Sequence, residues 1–471
     1  MSRPPVPLLL LALVTAASAA APTPAPSIPS WPAPPAAVEA LVAEAWRSNL
    51  ALAGESLEVE RAAARLAEAR SHFLPRLDLS ARYSVADGGR TIDLPLGDLL
   101  NGAYATLNQY LASQGQPARF PTVENQSISL LRAREQDTHL RLTQPLYAPE
   151  IRRGVAAARA GLAAREAQLA AYRRQLRAEV HAACFRHAEA GAAVGIYESA
   201  LALVQESLRV NRSLARNDKV TDDVVLRAEA EVAAVRQQLA EAAATRDRAH
   251  RYVNFLLNRP LDTALPPLDE TETARYADAL AAAEIPAADA RAREELDSLR
   301  HARTAARAAA DAVQARNLPS LALAVDAGGQ GESYRTGRGS GYAMGSLVLD
   351  WNLFDGQQRR SQVAQARIDE RQAARQLTAA EQQLALQVQQ ARDEFATART
   401  ALAAAALRRD AARAAYRLVA RREAEGLASQ LTVLDARNTL TTAELNYVVT
   451  RARLASAAAD FDRAAALTPL P

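Results

Sequence analysis

The sequence predicts a mainly helical chain in which long antiparallel coiled-coil hairpins carry four short amphipathic strands, and three observations support that fold class. A strand-to-helix junction occurs twice, as LRLTQPLYAPEIRR over residues 140–153 and LVLDWNLFDGQQRR over 347–360. Both copies show alternating leucines, a Leu–aromatic pair (Leu146–Tyr147, Leu353–Phe354), a turn residue (Pro149, Gly356) and an Arg pair. An apolar seam with steps of four and three follows each junction. Val180, Ala183, His187, Ala190 and Val194 recur 208 residues later as Val388, Ala391, Phe395, Ala398 and Leu402. Each half also holds two stretches with leucine or other apolar residues at alternate positions, the period of a strand with one apolar face. The chain is therefore read as an internal duplication.

The N-terminus carries Arg3, an apolar run from Leu8 to Val14 and the small-residue triplet Ala17-Ser18-Ala19, so residues 1–19 are expected to be a signal peptide. Residues 20–36, rich in Pro and Ala, follow as a linker. The first repeat, 37–265, opens with helical spacing from Val38 to about Arg70, with Asn49 and Gly54 as expected interruptions. Pro75 stops it, and Leu77, Leu79, Ala81, Tyr83 and Val85 line one face of a strand. Residues 86–136 have no sustained period and read as a long loop before a second strand at about 138–147. Composition rich in Ala, Arg, Glu and Gln then predicts a helix of about 60 residues, some 90 Å long. It turns at Asn217-Asp218-Lys219 and returns through Val225, Ala228, Val232 and Val235.

A connector, 266–286, leads to the second repeat, 287–467, and a tail, 468–471. Leu318-Pro319 repeats Leu74-Pro75 and starts a strand with Leu321, Leu323, Val325 and Ala327 on one face. A glycine-rich loop, 328–341, precedes the second junction. The second long helix turns at Glu425-Gly426-Leu427 and returns through Val433, Ala436, Leu440, Ala443 and Tyr447.

Composition excludes several functions. The net charge is +3, with 56 basic and 53 acidic residues interleaved along helix faces, which offers no patch for nucleic acid. One cysteine, Cys184, permits no internal disulfide. His181, Cys184 and His187 are metal-ligand types at helical spacing, but no carboxylate or second cysteine completes a set, and packed side chains are expected instead. No nucleophile, base and oxyanion arrangement accompanies the paired acids, so neither enzyme activity nor a cofactor or metal is expected.

Four strands cannot close a barrel, and an open sheet in a bilayer leaves unpaired backbone groups, so strands of this kind must pair with those of other chains. With the duplicated helix-strand-loop-strand-helix-helix plan, the Leu-Pro strand starts, the two junctions and the turn GLASQLTVLDA (426–436), the chain resembles the TolC family of outer-membrane efflux proteins. The first turn departs from the family, with Asp218-Lys219 where Gly-Leu is usual. The resemblance implies a homotrimer: a twelve-stranded barrel set in outer-membrane lipid of a Gram-negative bacterium, continuous with a long helical tube in the periplasm. It implies a passive exit duct of a tripartite efflux or type I secretion system, fed by an inner-membrane pump through a periplasmic adaptor. The adaptor would dock on the turns, at Asp218, Lys219, Gly426, Leu427 and Ser429. Asp222 and Asp223, repeated by a three-fold axis and partnered by Arg216 or Arg422, would form a periplasmic gate; the plainer expectation is that Thr221 or Asp222 caps the returning helix. The alternative is a structural coiled-coil protein of the envelope whose strands serve only as caps or hairpins.

Overall fold

The computed structural model describes residues 31–334 and 339–471. The signal-peptide reading of residues 1–19 lies outside the described residues.

Two short helices open the chain, α1 (Ala36–Ser48) and α2 (Leu50–Ser71). The break falls at Asn49, whose Oδ1 accepts from Leu52 N at 3.0 Å while its Nδ2 donates to the Leu256 carbonyl at 2.9 Å. Asn49 is thus an N-cap tied to a distant helix end. Gly54 does not interrupt α2; nothing crowds it and the helix runs through. Pro75 then sets the chain extended into β1 (Arg76–Val85).

The stretch 86–136, expected to be a plain loop, has structure of its own: β2 (Thr91–Leu94), α3 (Leu96–Ser113) and β3 (Gln126–Ser129), with β2 and β3 paired antiparallel. Its missing period has a physical cause. The inward face of α3 is polar, and Asn101 and Asn108 each clamp both an N–H and a carbonyl of the segment 119–123. β4 (Arg134–Tyr147) follows and starts earlier than alternation alone indicates.

Two helices of 67 residues dominate the molecule, α4 (Pro149–Ala215) and, after α5 (Asp222–Leu256), its counterpart α8 (Gln358–Ala424), which returns as α9 (Gln430–Ala465). Each is about 100 Å long at 1.5 Å per residue. The connector is also not featureless: α6 (Glu270–Ala282) lies within it and packs on α9. α7 (Glu294–Ala315) lies against both long helices, and β5 (Ser320–Gly331) and β6 (Gly341–Asp350) complete the strands.

The core is a belt around the middle of the long helices. Val38, Leu41 and Val42 of α1 meet Leu176, Val180 and Ala183 of α4 and Val253 and Leu256 of α5. In the second half Phe395 of α8, Leu454 and Phe461 of α9 and Leu280 of α6 pack together, with Trp31 laid across both phenylalanine rings at 5.2 and 5.5 Å. Each such side chain contributes about 1.5–3 kcal/mol by leaving water. Towards the turns the seam thins to small contacts such as Ala200, Val204, Val232 and Val235. His187 holds the seam position of Phe395 but sits in wetter surroundings, its ring edge-on to His250 at 5.5 Å. Burial, and then the neighbouring His250, lower its pKa, so it is neutral at pH 7.

Candidate functional site

Strands of both halves form one antiparallel sheet in the order β1-β4-β5-β6, joined across the duplication by β4 and β5. One continuous sheet, rather than separate caps, results. Its register places Leu77 beside Leu142 and Val325, and Leu79 beside Leu140 and Ala327. Leu347 and Leu349 extend the same face through Leu323 and Leu321. This face is apolar yet exposed: Leu79 is 71% and Leu349 65% accessible. The opposite face is polar over β1 and β4, with Asp78, Arg141 and Asp326 in register and Arg141 bonded to both carboxylate oxygens of Asp326 at 2.6 and 3.2 Å, and turns mixed towards β6, where Met344 and Val348 join it. Where β4 and β5 meet, Gly328 is required: a Cβ there would lie 2.3 Å from the Thr138 carbonyl oxygen and 2.5 Å from His139 Cβ. Both outer edges, β1 and β6, lack a pairing partner within the described residues.

The helical turns are two copies of one device. After α4, Lys219 N donates to Leu214 O at 3.0 Å and Asp218 N to Ala215 O at 3.0 Å, with Asp218 at φ 51°. After α8, Leu427 N donates to Arg422 O at 2.7 Å and Gly426 N to Glu423 O at 2.8 Å, with Gly426 at φ 72°. Each is a Schellman ending, and Asp218 bears the left-handed strain that Gly426 escapes. Asp218, Lys219, Gly426, Leu427 and Ser429 are all exposed on these tips. The Ser429 hydroxyl caps α9, accepting from Thr432 N at 3.3 Å.

Capping is not shared by the first turn. Thr221 stands at the N-cap, but its hydroxyl bonds the Asp223 carboxylate instead of a backbone N–H, and Asp222 is already the first residue of α5. Asp223 is paired with Arg227 at 3.1 Å, one turn along its own helix. Arg216 donates to the Arg212 carbonyl at 3.3 Å, and it lines a groove of about 680 Å³ with Asp222 between α4 and α5. Arg422 lies in the last turn of α8 on the other hairpin.

Two charged clusters are not visible in the sequence, because they join residues 120 to 294 positions apart. At the belt, Arg174 grips Glu294 with Nε at 2.8 Å and Nη2 at 2.6 Å and donates Nη1 to the Thr468 carbonyl at 2.8 Å. Arg177 pairs with Glu39 at 2.8 Å and Asp462 at 3.2 Å. His181 Nε2 approaches Glu39 at 3.3 Å, out of line for a full hydrogen bond. Burial alone would raise the Glu39 pKa, but His181 and Arg177 outweigh it and lower it from 4.5 to about 2. Nearer the tips, the buried Arg437 of α9 reaches Glu231 of α5 at 2.9 Å, tying the two hairpins together. Burial lowers the pKa of Arg437 against the pull of Glu231.

His181, Cys184 and His187 do not converge. His181 faces Glu39, His187 faces His250, and the Cys184 thiol is buried, with its pKa pushed up to about 12. Among the described residues no group of three or more His, Cys, Asp or Glu side chains is placed to hold a metal ion.

A sheet continuous with two coiled-coil hairpins is also found among known proteins. Residues 287–466 match the family model described as Outer membrane efflux protein. That match spans the second repeat and stops short of the first. No curated protein sequence matches the chain. Solved structures extend the likeness to the whole fold. The outer-membrane channel OprN superposes with a TM-score of 0.71 at 18% identity, covering 91% of this chain and 89% of that one. CusC, described for its folding and transmembrane channel formation, gives 0.73 at 16% identity, covering 92% and 93%. The Neisseria gonorrhoeae MtrE outer membrane channel in its open state gives 0.70 at 20% identity, covering 91% and 88%. The second half thus resembles the efflux-protein model, and over 91–92% of its length the chain shares the fold of these outer-membrane channels.

Proposed function

We propose that this chain is the outer-membrane exit duct of a tripartite efflux or type I secretion system, passively conducting cargo handed over by an inner-membrane pump and a periplasmic adaptor. The observation that carries the proposal is the four-stranded sheet, apolar and exposed on one face, polar on the other and open at both edges. Such a face belongs against lipid, and such edges must be paired there, since each unpaired backbone group costs several kcal/mol in hydrocarbon. Two copies would supply eight strands, enough for a barrel filled by its own side chains; three supply twelve and leave a lumen. The polar face, with the Arg141–Asp326 pairs, would line that lumen.

Three pairs of hairpins then form the periplasmic tube, with the turns at its far end. Gly426 and Leu427, and more weakly Asp218 and Lys219, are the proposed adaptor contacts, with Ser429 fixing the start of α9. Asp222 and Asp223 are the proposed acidic ring of the inner mouth. Arg216, which shares a groove with Asp222, and Arg422 of the second hairpin are the proposed counter-charges, beside Arg227, which already pairs with Asp223. Light scattering of detergent-solubilised protein should give the mass of three chains; a fully folded, monodisperse monomer overturns the proposal. Gly426→Trp should abolish export while leaving the trimer intact, and normal export in that variant removes the docking assignment.

A further inference from the structure

The small unit built from β2, α3 and β3 is amphipathic the wrong way round for a self-contained domain. Gly97, Asn101, Tyr104 and Asn108 face inward, where Asn101 and Asn108 hold the segment 119–123 and Tyr104 packs on Phe120 at 5.2 Å. Gly97 allows the closest approach, since a Cβ there would sit 2.4 Å from the Val123 carbonyl oxygen. Asn125 caps the helix, accepting from Gly97 N at 2.9 Å and Asp98 N at 3.1 Å. The opposite face presents Leu99, Ala103, Leu107 and Tyr110 at helical spacing, all exposed, with Leu99 at 70% and Tyr110 at 64%. Among the described residues no other helix or strand of the chain packs substantially against α3. A rigidly held helix with a bare apolar stripe needs a cover from outside its own chain.

We propose that the cover is the same stripe on neighbouring copies, so that three α3 helices close together as a cap over the outer mouth of the barrel. This rests on the trimeric duct proposed above. The unit grows from the end of β1 farthest from the helices, and β1 is an edge strand whose free side faces the next copy in a closed barrel. Reach is sufficient: 18 residues make a helix about 27 Å long, whereas twelve strands about 4.8 Å apart and tilted ~40° enclose a radius of about 12 Å. Charge favours copies over a lipid surface. α3 itself contains no Lys or Arg to meet anionic headgroups, Arg119 lying on the segment packed against its inward face, and the single charge on α3, Asp98, lies off the stripe and accepts from Asn125 Nδ2 at 3.1 Å. Three such faces meet without repulsion.

The test uses the full chain in native membranes with Tyr110→Cys, and Gln109→Cys, exposed but off the stripe, as control; the native Cys184 is buried. A bis-maleimide with a reach of about 8 Å, the diagonal spacing of packed side chains, should link more than half of the Tyr110→Cys chains to a second copy and few of the Gln109→Cys chains. Replacing residues 91–131 by a short Gly-Ser linker should raise single-channel conductance in planar bilayers several-fold. Light scattering of each variant separates the claims. A three-chain particle without Tyr110→Cys linkage overturns the cap and leaves the duct standing, whereas a monomer overturns both. Protection of Tyr110→Cys from soluble maleimide only in vesicles, with no linkage, assigns the stripe to lipid and also overturns the cap.

Discussion

Replacing Glu231 by Gln should destabilise the molecule more than replacing its partner Arg437 by Met, although both remove the same ion pair. The Arg437 side chain is 6% exposed, and its Nε has no hydrogen-bond partner, whereas the Glu231 side chain is 29% exposed. Losing Glu231 leaves a buried guanidinium with its charge uncompensated. Losing Arg437 lets Glu231 turn to water while methionine fills the vacated space. Breaking a buried pair from one side costs roughly 3–5 kcal/mol, and water access at Glu231 reduces that to about 2–3 kcal/mol for Glu231→Gln. Arg437→Met should change stability by no more than about 1 kcal/mol, because the desolvation cost of the cation disappears with it. Because large proteins often unfold irreversibly, the rate is the quantity to measure. At fixed urea and temperature, far-UV circular dichroism should show Glu231→Gln unfolding ~30- to 150-fold faster than the parent, given tenfold per 1.4 kcal/mol. Arg437→Met should stay within about fivefold, and the double variant should resemble Arg437→Met. An Arg437→Met protein that unfolds as fast as Glu231→Gln, or faster, refutes the reasoning.

Gly328→Val should part β4 from β5 at the seam of the two halves, costing about 3 kcal/mol; a variant whose oligomer is as heat-resistant as the parent on a semi-native gel contradicts the packing seen there. Glu39 has a lowered pKa, so its stabilisation is complete above about pH 5 and is lost as pH falls towards 2. Its side chain is 36% exposed, which discounts the contribution to about 1 kcal/mol. Glu39→Gln should accordingly flatten the fall in melting temperature between pH 5 and pH 3, and superimposable profiles for variant and parent count against it. Asp222→Asn with Asp223→Asn should weaken cation preference and divalent-ion sensitivity in planar-bilayer recordings, and unchanged values would place the selective ring elsewhere.

Periodicity alone determined the long helices, because an apolar seam repeated over dozens of residues has one economical burial, another helix; Val180 and Val388 both lie buried on it. Alternation likewise determined the strands, since Leu77, Leu79, Leu323 and Leu347 can share a face only at a period of two. The two turns were legible from Gly426 and from Asp218, 208 residues before it. What tertiary structure decided is whatever depends on partners far apart in sequence. The small unit within 86–136 was invisible because asparagine side chains bonding to backbone, rather than an apolar stripe facing inward, hold it together. α6 was hidden in an Ala-rich connector for want of a strong period, and it is fixed by the surface of α9. The capping role expected at Thr221 failed because a carboxylate two residues away competes for its hydroxyl. Glu39, Arg177, Asp462, Arg437 and Glu231 read as solvated charges in the sequence, because nothing local distinguishes an exposed arginine from one that folding carries into a seam opposite a carboxylate. Spacing fixes which residues share a face; only the crossing of whole elements determines which faces meet.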